Sequence, residues 1–109
     1  MKLGSLRVNL MAEVGKLLIP GVTVSKMRSG KKEIYYVYLP LRFDKYLSHG
    51  KWSVTAITDQ REILIGLRSL YKHGNYFILT LPISLKQIWE QYLGKEMDLI
   101  LEKLTSSPP

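Results

Sequence analysis

The first half of the chain alternates apolar and polar residues and then changes to a helical spacing. Residues 22–24 and 33–39 are rich in β-branched and aromatic side chains, which favours two strands. Gly30 lies between them and supplies the positive φ that a tight hairpin turn requires. After Pro40 the apolar residues follow a helical spacing that ends at Gly50. The pattern therefore predicts a hairpin, a short helix and a further strand.

This order of elements recurs in the second half. Leu39-Pro40 is repeated as Leu81-Pro82, and Gly50-Lys51 is repeated as Gly94-Lys95. The two distances, about 42 and about 44 residues, are typical of a duplicated supersecondary unit. We therefore predict one ββαβ unit that the chain uses twice.

The composition is that of a single globular domain. Of 109 residues, 46% are hydrophobic and 23% are charged, which is ordinary for a folded soluble protein. The predicted fold class is mainly β with short helices. Four parts are predicted along the chain: an N-terminal strand arm at 1–21, a first repeat unit at 22–62, a second repeat unit at 63–104 and a disordered tail at 105–109.

Two segments fit both a strand and a helix. Residues 6–14 alternate strictly between apolar and other residues, although residues 3–17 also contain a helical apolar stripe. We predict a strand there because the alternation is unbroken. Residues 97–101 fit a helix by their own spacing and a strand by comparison with the first copy. We predict a strand there too, because the repeat is evidence over a longer range.

The positive charge is confined to one half of the protein. The net charge is +7, and the whole surplus lies in residues 1–51, because the charges of the remaining residues cancel. A one-sided surplus indicates a basic face that binds a polyanion, although a general role in solubility is the simpler alternative. The chain has no cysteine, no apolar run long enough to span a bilayer and no signal-peptide pattern, so we expect a cytoplasmic protein with no membrane partner.

The order of motifs resembles a known family. Residues 22–25, the basic turn around Gly30, Leu39-Pro40, Gly50-Lys51 and a hairpin through Asp59 resemble the AbrB/SpoVT-like swapped-hairpin DNA-binding domains. The resemblance covers 22–67 and, more weakly, 63–101, and Lys51 and Lys95 stand where the family usually has Asp. It implies a swapped-hairpin or cradle-loop type small barrel. Because both units lie in one chain, it implies a monomeric pseudo-dimer or a homodimer.

The resemblance also implies that basic residues after the first strand contact double-stranded DNA. We expect Arg28 to contact a base edge and the lysines beside it to contact phosphates. Arg42 and Lys45 on the first helix are either additional phosphate contacts or solvated surface. The second copy offers a weaker set in Arg68, Lys72 and His73. The predicted DNA-binding residues are Lys26, Arg28, Lys31, Lys32, Arg42 and Lys45.

Base stacking and catalysis are both disfavoured. Most of the seven tyrosines and two tryptophans have core-facing spacing, so we expect few of them to meet nucleobases. His49 and His73 have no partners at metal-ligand spacing, and the acids are scattered. No nucleophile motif or phosphate loop is present. The protein is therefore predicted to be a non-enzyme without metal or cofactor.

The predicted function is that of a transcriptional regulator that binds double-stranded DNA through the basic hairpin turn, and two alternatives to it remain open. The protein is an accessory subunit of a nucleic-acid-processing complex if the N-terminal strand or the second repeat, through Trp89 and Tyr92, contacts a protein partner. It is a ribbon-helix-helix dimer if residues 76–81 form the ribbon and helices cover 84–93 and 96–104. The second alternative requires residues 96–104 to be helical.

Overall fold

The computed structural model describes residues 16–103, which form a mainly β structure. The strand predicted over 6–14 and the tail predicted at 105–109 lie outside these residues. The strands are β1 Lys16–Thr23, β2 Ser25–Ser29, β3 Lys32–Tyr38, β4 Gly50–Ile57, β5 Glu62–His73, β6 Tyr76–Leu81 and β7 Glu96–Lys103. The helical segments are 3₁₀ helices at Leu41–Tyr46 and Ile83–Leu85 and an α-helix, α1, at Lys86–Tyr92.

All seven strands belong to one sheet that curls into about half of a barrel. The order is β1-β7-β4-β5-β6-β3-β2, and all neighbouring strands are antiparallel. The long strand β5 connects two groups, because its first part pairs with β4 and its last three residues pair with β6. We call β1, β7, β4 and the first part of β5 the first strand group, and the remainder the second strand group.

The predicted hairpins are present with shorter turns than expected. Ser29 pairs with Lys32, so only Gly30 and Lys31 form the turn, and Gly30 has the left-handed φ of +65° that the sequence predicted. Residues 26–29 therefore lie in a strand and not in a loop. The second hairpin closes in the same way, because His73 pairs with Tyr76. Strand β6 covers the residues predicted for it.

β1 continues through Pro20-Gly21, where the sequence predicted that the N-terminal strand arm ends. The pairing of β1 with β7 shifts register between Ile19 and Val22, and this bulge accommodates the two residues. Proline is tolerated there because β1 is an edge strand. Gly21 N–H finds a partner in Asp98 Oδ1 at 2.9 Å.

The C-terminal segment is a strand, so the ribbon-helix-helix alternative is wrong. β7 pairs with β1 on one side and with β4 on the other, which satisfies its backbone groups on both edges. Met97, Leu99 and Leu101 are buried at every second position, as expected for a strand with one face on the core. The comparison with the first copy predicted this strand correctly.

The core lies on one side of the curled sheet and is covered by α1. Alternate residues of the strands point into it, and Trp89 of α1 is fully buried against them. The indole N–H of Trp89 donates to Pro82 O at 2.9 Å, so the largest core side chain leaves no unsatisfied polar group. This contact also holds the start of the second helical segment beside the end of β6.

Candidate nucleic-acid interface

A groove of about 870 Å³ lies between the turn of the β2–β3 hairpin and the segment that links β6 to α1. Tyr35 pairs with Leu81, and this register places the tip of the hairpin beside Pro82 and Ile83. The groove has an apolar floor and a basic rim, and we call it the basic groove. Its basic side chains are Arg28, Lys31, Lys32, Arg68 and Lys86.

Three of the predicted DNA-binding residues meet in the basic groove. Arg28 precedes the turn, Lys31 belongs to it, and Lys32 opens β3. The side chain of Arg28 is 72% exposed, and its Nη2 lies 3.7 Å from Glu33 Oε2. Glu33 is the one acid among the groove residues, so the local charge is strongly positive.

Lys26 does not lie in the basic groove. Its Nζ donates to Glu90 Oε2 of α1 at 2.9 Å and lies 3.8 Å from Glu33 Oε2. The hydrogen bond to Glu90 raises the pKa of Lys26. Lys26 therefore ties the hairpin to α1 and is less available for phosphates than the sequence predicted.

Tyr35, on the strand next to Lys26, contacts the same carboxylate, and we call Lys26, Tyr35 and Glu90 the Glu90 cluster. The Tyr35 hydroxyl donates to Glu90 Oε2, and this bond raises the pKa of Tyr35 to about 12. The same bond, with a smaller contribution from Lys26, lowers the pKa of Glu90. One carboxylate thus holds two donors from adjacent strands and fixes the hairpin relative to α1.

Replacing this carboxylate by the neutral amide (Glu90→Gln) is expected to flatten the pH dependence of stability at both ends. The lowered pKa of Glu90 gives stability that is present above its ordinary value of 4.5 and is lost as the pH falls through the folded value. The raised pKa values of Tyr35 and Lys26 give stability that is present below their ordinary values of 10.0 and 10.5 and is lost as the pH rises. Urea midpoints measured by circular dichroism across pH test both changes.

Glu62→Gln is the matched control. Glu62 is exposed and forms no ion pair with any residue of 16–103. Its variant is expected to keep the acid and alkaline losses of the wild type. An unchanged profile for Glu90→Gln would show that the cluster does not contribute to folding stability.

Arg42 and Lys45 lie away from the basic groove. Both are exposed on the 3₁₀ helix at Leu41–Tyr46, where Arg42 lies over Phe43 and Lys45 over Tyr46 at 5.0 and 5.3 Å from the ring centres. The structure therefore does not bring them together with Arg28 and its neighbours. Tyr46 has a helical spacing that places it on the side of Phe43, yet it is 56% exposed.

The predicted partner-binding residues have different positions. Trp89 is fully buried, so a surface contact from its side chain does not fit the structure. The spacing of Trp89 in the sequence fitted both a core residue and an interface residue, and the structure shows that Trp89 is a core residue. Tyr92 is half-buried and packs against the core edge. A protein partner at the second repeat stays a prediction that now rests on Tyr92.

The sequence did not associate Arg68 and Lys86 with the basic groove. Arg68 Nε donates to Thr80 O at 2.9 Å and Nη2 donates to Thr80 Oγ1 at 2.8 Å, where β5 leaves β4 to join β6. Its guanidinium therefore bridges the two strand groups, and sequence comparison assigned it to the second turn. Lys86 begins α1. Only the strand register shows that both residues face the first hairpin.

A second exposed feature lies on the side of the second strand group that faces away from the core. Tyr38, Tyr71 and Tyr76 are 38%, 44% and 41% exposed, and Tyr36 is half-buried beside them. The ring centre of Tyr38 lies 5.2 Å from Tyr36, 5.4 Å from Tyr76 and 6.0 Å from His73. We call these five residues the tyrosine face. The expectation that most tyrosines point into the core is wrong, because of the seven only Tyr35 is fully buried.

Other kinds of site are not found in the part of the chain that the structure describes. Within residues 16–103 no group of three or more His, Cys, Asp or Glu side chains is arranged to hold a metal ion. None of the helices in this range has the length and apolar character needed to cross a bilayer.

Comparison with known proteins returned no family model, no curated protein and no solved structure that matches this chain. The resemblance to the AbrB/SpoVT-like domains therefore rests on the sequence motifs alone.

Proposed function

We propose that the protein is a regulator that binds double-stranded DNA through the basic groove. The observation that carries the proposal is the convergence of five basic side chains, from three separate stretches of sequence, on one groove that contains a single acid. Such a cluster is the electrostatic footprint of phosphate binding. The cytoplasmic location expected from the sequence is part of the same proposal.

The shape of the hairpin supports duplex DNA as the ligand. The major groove of B-DNA admits a two-stranded β-ribbon, and β2–β3 is such a ribbon at the edge of the sheet. We propose Arg28 as the residue that pairs with guanine, because its side chain on the ribbon is 72% exposed. Lys31, Lys32 and Lys86 supply phosphate contacts. Arg68 is held by Thr80 and positions the groove wall.

We further propose that the chain contains two ββαβ units related by a pseudo-two-fold axis. Support comes from the pairing of β3 with β6 and of β4 with β7, which are the corresponding strands of the two units. Val37 and Leu79 each stand two residues before a Leu-Pro, and they pair with each other. Corresponding residues pair in this way across a two-fold axis. One chain would then build a barrel that the resembled family assembles from two.

The two units are expected to differ in DNA binding. At the opposite end of β3 and β6, near the second turn, Lys72 Nζ lies 2.8 Å from Asp44 Oδ2, and this ion pair neutralises it. His73 accepts or donates a hydrogen bond with the Tyr38 hydroxyl at 2.9 Å. The second turn therefore lacks a cluster of free cations. We propose that only the edge formed by the β2–β3 hairpin binds DNA.

The salt dependence of binding tests the proposal. Anisotropy of a labelled duplex of about 20 base pairs is expected to give a log–log slope of about −3, because about three phosphate contacts each release about 0.9 counterion. Lys86→Ala is expected to reduce the slope by about one and to weaken binding to all sequences alike. Lys95→Ala, which removes a lysine outside the groove, is the matched control and is expected to change neither quantity. Binding that does not depend on salt, or a Lys86→Ala slope equal to that of the wild type, would remove the basic groove as the DNA site.

A further inference from the structure

The tyrosine face exposes more aromatic surface than the packing of the sheet requires. Ile78 is 1% exposed on this side of the sheet, and the register places it between Tyr38 and Tyr71, its direct neighbours on β3 and β5. Covering Ile78 explains why apolar side chains stand there. The need to cover Ile78 does not explain why tyrosines that remain about two-fifths exposed are used. A leucine or a valine at these positions would also cover Ile78 and would expose less apolar area.

The tyrosine face borders the basic groove. Tyr36 pairs with Thr80, and Thr80 accepts the two hydrogen bonds from Arg68. Thr80 and Arg68 both line the basic groove. An anionic chain held by the groove cations is therefore brought to the edge of an aromatic surface. Among possible occupants, this favours a ligand that combines regular negative charge with flat apolar rings.

We infer that the tyrosine face stacks unpaired nucleobases, so that the preferred ligand is a DNA duplex with an adjoining single-stranded segment. The inference rests on the proposed function, because the basic groove supplies the phosphate contacts that bring the strand to the rings. Aromatic side chains beside a basic groove are the usual arrangement for binding single strands, and they tolerate any base because every base has a π-face. Tyr71 and Tyr76 are the most exposed rings of the set and the main stacking positions.

The test compares three labelled DNAs: a duplex, a single strand of thymidines and the duplex carrying a thymidine tail. The wild type is expected to bind the tailed duplex more tightly than the blunt duplex. The double variant Tyr71→Leu/Tyr76→Leu is expected to lose about tenfold or more of its affinity for the tail and the single strand, with blunt-duplex affinity unchanged. Tyr71→Phe/Tyr76→Phe keeps the rings and is expected to bind as the wild type does. Tyr46→Leu removes an exposed tyrosine that has no ring contact with the tyrosine face and is the matched control.

The outcomes separate this inference from the proposed function. If the leucine variant binds the tailed duplex as the wild type does, the inference about the tyrosine face fails. The proposed function is tested separately: if substitution of Arg28 and Lys31 abolishes binding to the blunt duplex, the basic groove is still supported as the DNA site. If the wild type forms a dimer in sedimentation experiments that the leucine variant does not form, the face binds a second copy and the inference fails. If the wild type binds none of the three DNAs, the proposed function fails and the inference with it.

Discussion

The triple variant Arg28→Glu/Lys31→Glu/Lys32→Glu is expected to lose at least about a hundredfold in affinity for duplex DNA at physiological salt. These three side chains lie on the tip of one hairpin, and none is buried. Reversing their charge removes two of the proposed phosphate contacts and the proposed base contact of Arg28, and it adds three carboxylates to a groove whose one acid is Glu33. The slope of the logarithm of affinity against the logarithm of salt concentration is expected to fall in magnitude by about two units, and anisotropy titrations at several salt concentrations measure both effects.

A second triple variant separates local charge from net charge. Lys16, Arg61 and Lys95 are exposed and lie outside the basic groove, so Lys16→Glu/Arg61→Glu/Lys95→Glu makes the same change in net charge at other places. It is expected to weaken binding only slightly. If it weakens binding as much as the hairpin variant does, the protein binds DNA by its overall charge and not by the groove.

Glu33→Gln is expected to act in the opposite direction. Glu33 Oε2 lies 3.7 Å from Arg28 and 3.8 Å from Lys26, and it is the one acid of the basic groove. Its neutralisation frees Arg28 for the ligand and removes repulsion of the nearest phosphate, so affinity is expected to rise several-fold. Glu102→Gln, on β7 in the first strand group, makes the same chemical change far from the hairpin and is expected to leave affinity unchanged.

The local pattern of the sequence predicted most strands, because neighbouring residues specify them. β6 follows a clear run of β-forming residues, and β7 was recognised by comparison with the first copy although its own spacing also fitted a helix. Pro20-Gly21 was misread because a bulge on an edge strand tolerates residues that normally end a strand. The sequence does not show which strand will lie at an edge, so this error could not be avoided from the pattern.

The candidate site was predicted less well, because it depends on long-range contacts. Lys26 pairs with Glu90, which lies 64 positions further along the chain, and this contact takes it out of the predicted cluster. Lys86 joins the cluster only because Tyr35 pairs with Leu81. The tyrosines were misplaced for a related reason, since alternation shows which residues share a face but not which face of a curled sheet meets solvent. Ile78 is an example, because it is buried although it lies on the side of the sheet opposite the core.

Trp89→Ala is expected to cost about 3 to 5 kcal/mol in the free energy of unfolding, the largest effect of any single substitution proposed for this chain. Trp89 is fully buried, and its removal leaves a large cavity beside α1 and takes the hydrogen bond from Pro82 O. A loss of this size is a large part of the stability of a typical small domain, so partial unfolding at room temperature is expected. Urea unfolding followed by circular dichroism measures it.

Trp89→Phe separates the cavity from the hydrogen bond and decides between the two predicted roles of this residue. Phenylalanine retains most of the ring but cannot donate to Pro82 O, so a smaller loss of about 1 to 3 kcal/mol is expected. Because Pro82 lines the basic groove, this variant is also expected to weaken DNA binding while the protein stays folded. Tyr92→Ala, at the half-buried neighbour, is expected to destabilise the fold less than Trp89→Ala. If Trp89→Ala left stability unchanged, Trp89 would be a surface residue, and a protein partner at the second repeat would again be the better explanation of its presence.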